Sequence, residues 1–97
     1  AFVCPLAPES RLQTGYGFTT TEVIFRSAPM RTQETAIAKL PAGSWVEILA
    51  GPVCGEYPGG AYAYWMVTVK NDQETFIGWL AEGDPNQYYL EQGDCCP

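Results

Sequence analysis

The sequence predicts an all-β chain: a small antiparallel barrel of five to six strands with an irregular N-terminal arm. Three observations carry this. Between Val23 and Leu90 the chain breaks into short strand-like segments punctuated by Pro and Gly. Several of these segments alternate apolar and polar residues with a period of two, the signature of a half-buried strand. One stretch alone, Thr35 to Leu40, has helical character; it is short and Pro41 ends it, so a strand fits it better. Many short strands with regular turns imply a sandwich or a small barrel.

The elements follow in order. Residues 1–12 carry Pro5, Pro8 and Ser10 and read as an irregular arm. Residues 13–20 form a first strand interrupted by Gly15 and Gly17. Val23-Ile24-Phe25-Arg26 is a strand that runs into a turn at Ser27-Ala28-Pro29. Leu40-Pro41-Ala42-Gly43 is a turn before Trp45-Val46-Glu47-Ile48, where Val46 and Ile48 share one face and Trp45 and Glu47 the other. Residues 51–61 form the longest loop, a common location for binding residues. In the next strand Trp65, Val67 and Val69 share a face, and Tyr64, Met66, Thr68 and Lys70 take the opposite one. Asn71-Asp72 suits a tight hairpin turn, because both side chains tolerate left-handed backbone. The return strand Glu74 to Leu80 is apolar on both faces and is expected to be covered on both.

With 97 residues the chain makes one domain, whose small core calls for disulfide stapling. Its parts are residues 1–21 (arm and first strand), 22–92 (barrel) and 93–97 (a cysteine tail). The net charge of −6, with five Lys and Arg in all, argues against nucleic acid, whose affinity comes from neutralised phosphates. The same charge disfavours anionic membrane surfaces, and no apolar run is long enough for insertion in a membrane. The start at Ala1-Phe2-Val3-Cys4, without Met or a basic leader, reads either as the mature product of cleavage or as a trimmed chain. Four cysteines without a His favour disulfides over metal, and adjacent Cys95-Cys96 lacks the spacer of a zinc site.

The order of short motifs resembles the bacterial SH3-like domain family over most of the chain. Arg26-Ser27-Ala28-Pro29 resembles the family's Arg-Ser-Gly-Pro turn, and Leu40-Pro41-Ala42-Gly43 the turn before its central strand. Tyr64-Trp65 stands where many members carry two tryptophans; Gly78-Trp79-Leu80 and Tyr89-Leu90 are similar to the closing strands. Cys4-Pro5, Ser10-Arg11-Leu12 and Gly51-Pro52-Val53-Cys54 resemble a secreted, cysteine-containing subgroup. Four features depart from the pattern. Ala28 replaces a Gly, so that turn is expected to avoid positive φ. Ile24 replaces a common Asn, the loop ending at Tyr57-Pro58-Gly59-Gly60 is long, and Cys95-Cys96-Pro97 lies outside the family. The resemblance implies a non-catalytic module that binds or scaffolds, and a Cys4–Cys54 bridge. It leaves Cys95 and Cys96 open. Neighbouring Cα atoms lie about 3.8 Å apart, below the usual disulfide span of about 4.4–6.8 Å, so a vicinal bridge is strained. Either the tail cysteines pair crosswise with Cys4 and Cys54, or Cys4–Cys54 forms and the tail links to another chain.

Candidate sites stand beside plainer readings. Without His the common triads are missing, no spacing brings Glu9 and Glu22 together, and Pro58-Gly59-Gly60 lacks the Lys and helix of a phosphate loop. No catalytic residue, metal or cofactor is assigned. Tyr64 and Tyr89 correspond to positions near the aromatic groove of SH3-like barrels, and Tyr57 and Tyr62 lie on or beside the long loop. These four are the ligand-binding candidates, since Tyr offers a rigid surface with a polar tip; the plainer reading is that they cover a small core. Trp45, facing outward, and Cys95, Cys96 and Pro97 are the self-association candidates. Arg26 is expected to pair structurally with Glu82. The expected function is therefore a secreted binding or scaffolding module at a bacterial surface, contacting a peptide, wall or glycan partner. The alternative is a self-assembling subunit of an extracellular filament or surface layer.

Overall fold

The computed structural model describes residues 4–30, 32–55, 61–70 and 73–94. Nine strands form within them: β1 (Gly15–Thr19), β2 (Val23–Arg26), β3 (Ala36–Leu40), β4 (Trp45–Cys54), β5 (Ala63–Lys70), β6 (Thr75–Ala81), β7 (Gly83–Asp84), β8 (Gln87–Tyr88) and β9 (Leu90–Gly93). A 3-10 turn at Gln33–Thr35 precedes β3, so Thr35 to Leu40 divides between that turn and a strand. Seven strands make one antiparallel sheet in the order β3-β2-β6-β5-β4-β1-β9, and β7 and β8 pair as a separate ribbon. The all-β expectation holds. The strand count and the closure do not: among the described residues no pairing joins the edges β3 and β9, so the sheet is open rather than a closed barrel.

The sheet is nevertheless curled. Flat, it would hold β2 and β9 five strand spacings apart, about 24 Å. Instead Val23 and Phe25 of β2, Val46 and Ile48 of β4, Trp65 and Val67 of β5, Leu80 of β6 and Leu90 of β9 pack into one core. Period-two alternation aims these residues at the concave face, and their burial drives the curl. β5 lies in the middle and is covered on both sides, with Tyr64 as buried as Trp65.

Close approach requires glycine at two places. A Cβ at Gly17 would lie 2.7 Å from the Glu91 carbonyl oxygen and 2.9 Å from Ile48 Cδ1, so β1 needs it to sit between β4 and β9. A Cβ at Gly78 would lie 2.6 Å from the Phe25 ring, which packs directly on β6. β6 corrects one expectation: only its second half is covered, and Phe76 and Ile77 remain 39% and 62% exposed. The turn before β4 is held by buried Thr19, whose Oγ1 donates to the Pro41 carbonyl (2.8 Å) and accepts from Ser44 N–H (2.9 Å). Gly43 in that turn has φ +84°, and no residue other than glycine has positive φ among the described residues, so Ala28 fits its turn. β4 is longer than expected: residues 51–54, read as loop, pair with β5 through Val53↔Tyr64 and Cys54↔Ala63. Asn71-Asp72 lies outside the described residues, but the Lys70↔Thr75 pairing establishes the hairpin around it.

The arm is fastened at several points, among them a hydrogen bond from the Tyr88 hydroxyl to the Glu9 carbonyl. Cys4 and Cys54 form a disulfide across 50 positions. Leu6 N–H donates to the Ala61 carbonyl. Most telling is Glu82, which is 0% exposed. Its carboxylate accepts from Ser10 Oγ (2.9 Å), Arg11 N–H (2.8 Å) and Trp65 Nε1–H (2.9 Å). Arg11 then crosses the Tyr88 ring, 3.4 Å from its centroid, and pairs with Glu91. The expected Arg26–Glu82 pair is thus corrected: the arm and Trp65 satisfy Glu82.

Two outcomes follow. Glu82→Gln puts an amide donor where three donors converge, and should destabilise the chain by roughly 1.5–3 kcal/mol in denaturant melts. Replacing Cys4 and Cys54 by Ser should cost about 4 kcal/mol by loop entropy, and peptide mapping without reduction should recover the two linked fragments.

Candidate functional site

A groove of about 190 Å³ lies on the outer side of β2, where the chain before β5 and the chain before β9 converge. Alternation along β2 sends Phe25 into the core and presents Ile24 and Arg26 outward, with Glu22 two positions further along the same face. Tyr62, immediately before β5, and Tyr89, immediately before β9, form the other wall. Tyr64 lies at the base, where it is 1% exposed. Three of the four tyrosines expected to bind ligand therefore meet at one place. Tyr64 is corrected from a contact surface to a floor, because the outer side of β5 is covered. Tyr57 lies outside the described residues.

Local structure fixes these groups. The Tyr64 ring lies over Gly55, where a Cβ would fall 2.5 Å from Cε1 and 2.6 Å from the Pro29 carbonyl oxygen. Tyr89 donates its hydroxyl to Asp84 Oδ2, while Asp84 Oδ1 accepts from the N–H groups of Asn86 and Gln87 to close the turn between β7 and β8. Arg26 Nη1 donates to the Thr32 carbonyl (2.7 Å) and to Thr35 Oγ1 (3.0 Å). Thr35 is itself buried, with its hydroxyl 2.7 Å from the Met30 carbonyl oxygen. The turn after β2 thus acts as a bracket for one guanidinium.

The self-association candidates separate. Trp45 does face away from the core, but it is half-buried, because its ring packs against Phe18 at a centroid distance of 5.4 Å and covers Gly93. Cys95, Cys96 and Pro97 lie outside the described residues. A second cavity, about 230 Å³ and almost wholly apolar, opens where the concave face reaches β3; Phe25, Leu40, Val69 and Phe76 line it together with Ile37 and Ala38. Among the described residues no group of three or more His, Cys, Asp or Glu could hold a metal ion, and no helix is long and apolar enough to cross a membrane.

Sequence reasoning missed the charged side of the groove. The signal was present: Glu22, Ile24 and Arg26 alternate with Val23 and Phe25, so one face had to carry both charges. Comparisons of this chain with protein-family models, with curated proteins and with solved structures find no match.

Gly55→Ala tests how the floor is held. The added methyl meets both the Tyr64 ring and backbone, so it should destabilise by roughly 1–3 kcal/mol and shift the Tyr64 ring resonances, measured by denaturant melts and NMR.

Proposed function

We propose that this chain is an SH3-like binding module, and that the tyrosine groove is its contact site. The observation that carries the reading is the convergence of Tyr62, Tyr64 and Tyr89 on one concavity beside β2. Aromatic walls with a few placed polar groups are the usual make-up of a small binding pocket. The curled antiparallel sheet supports an SH3-like arrangement. So does the position of Ser10-Arg11-Leu12: Ser10 and Arg11 bind Glu82, and Leu12 packs against the core. The groove carries no assigned nucleophile or general base, and the function proposed is binding without catalysis. The Cys4–Cys54 bridge supports an extracellular, cell-surface setting, since such bridges persist in oxidising compartments. The partner classes are a peptide, a wall fragment or a glycan.

A second reading, self-assembly into a filament or surface layer, is favoured by one observation. The edge strand β3 is exposed along most of its length, with Ile37 50% exposed beside the apolar cavity. Such an edge can accept a strand from another copy.

Titration of the isotope-labelled chain with soluble wall fragments, short peptides and oligosaccharides, read by NMR, separates the two. The binding reading expects shifts concentrated at Ile24, Tyr62 and Tyr89, and a loss of affinity of about tenfold or more in Tyr62→Ala. Shifts confined to β3 with a rise in particle mass would support self-assembly. No shift in the groove with any ligand class would end the binding reading.

A further inference from the structure

The groove presents its charges in a line. Glu22 immediately precedes β2 and Arg26 ends it, four residues apart, about 13 Å along an extended chain, with Ile24 between them, and all three line the groove. The Arg26 end is rigid. A guanidinium is planar, so fixing Nη1 on Thr32 and Thr35 also fixes the direction of its remaining edge. That edge, Nε–H and Nη2, takes no partner among the described residues. Two parallel donors on a half-buried, bracketed guanidinium match a carboxylate in bidentate geometry.

The rest of the molecule gives this edge its importance. The chain holds eleven Asp and Glu against five Lys and Arg, so an anion is repelled over most of its surface. Arg11 is engaged by Glu91 and Tyr88. Lys70 is exposed at the end of β5, away from the groove residues; Lys39 is exposed on β3, where it pairs in register with Ile24 and so flanks the groove without lining it. Among the described residues, which do not include Arg31, Arg26 is the cation lining the groove. At the other end Glu22 is exposed and takes no partner among the described residues, so a cation can approach it.

Resting on the binding reading above, we infer that the groove takes the end of an extended peptide, with its free carboxylate on Arg26, an apolar side chain against Ile24 and a basic group beside Glu22. An extended chain spans about 3.3–3.6 Å per residue, so roughly three to four residues bridge the two charges. A neutral glycan would leave both charges unmatched. It would also find little open ring face, since Tyr64 is 1% exposed and Tyr62 and Tyr89 are half-buried.

The test uses the oxidised chain and the tripeptide Ala-Leu-Ala in four forms: both ends free, C-terminally amidated, N-acetylated, and blocked at both ends. A methyl glucuronide serves as a sugar carboxylate. Affinity and the Arg26 Nε–H resonance are followed by NMR titration. The free acid should bind about tenfold tighter than the amide, as a charge-assisted bidentate pair requires, and should move the Arg26 Nε–H signal. Acetylation should cost less, because Glu22 is solvated. Arg26→Lys should collapse the acid–amide difference to about twofold or less, and Glu22→Gln should remove the amine–acetyl difference. Arg26 also supports its turn, but the acid–amide comparison on the unmodified chain does not depend on any variant folding. Equal binding of acid and amide with shifts at Tyr62 and Tyr89 overturns the carboxylate assignment and leaves the groove as a binding site. Binding of the glucuronide without the peptides overturns the peptide assignment. No groove shift with these probes or any ligand class above overturns both readings.

Discussion

One buried carboxylate organises this chain. A charge withdrawn from water is costly unless its lone pairs find donors. Glu82 meets that demand with three donors from two distant parts of the sequence: Ser10 Oγ and Arg11 N–H from the arm, and the indole N–H of Trp65 from the middle of the sheet. Its backbone is committed too. Its N–H donates to the Ala63 carbonyl, and its own carbonyl accepts from Tyr89 N–H at 2.8 Å and Leu90 N–H at 3.3 Å. The arm, β5, β6 and the entry to β9 therefore meet at one residue. Leaving any of these segments unplaced would strand either a buried charge or the donors it satisfies.

The rest follows from that junction and the curl of the sheet. With the arm fixed at Ser10 and Arg11, Leu12 reaches the core and Arg11 covers Tyr88. With Tyr89 N–H held on Glu82 and its hydroxyl on Asp84, the Tyr89 ring is fixed at both ends as a wall of the groove. Tyr62 is positioned beside Ala63, itself bound to Glu82 through its carbonyl. The opposite wall comes from β2, whose inner residues Val23 and Phe25 are drawn into the core and whose outer residues must then face Tyr62 and Tyr89. Hydrophobic burial sets the curl, and the Glu82 cluster determines where its flanking segments lie. The groove between them is consequently preorganised, which lowers the ordering cost of binding.

The strands were legible because they obey simple local rules. Val46 and Ile48 are buried and Trp45 and Glu47 are not, as alternation requires. Residues 51–54 were not legible as strand, because Gly and Pro signal a loop locally while their pairing to Ala63 and Tyr64 is a long-range event. Exposure of the first half of β6 was missed for a related reason. An apolar sequence such as Phe76-Ile77 does not reveal that its neighbours end before covering it. The tyrosines were found by residue type. Arg26 was not found as a groove residue, because the pairing of a lone Arg with a lone Glu is a plausible guess from sequence. The actual partners of Glu82, a main-chain N–H and an indole, carry no charge pattern to read. Backbone donors are invisible in a sequence until the arm is placed.

Hydrogen exchange at the Glu82 cluster tests the account most directly. If the carboxylate holds arm and sheet as one unit, the Arg11 amide and the Trp65 indole N–H should exchange together, as slowly as the Val67 amide, and only through global opening. If Arg11 exchanges rapidly while Val67 and the Trp65 indole stay protected, the arm opens independently of the sheet, and Glu82 is not the junction on which this fold depends.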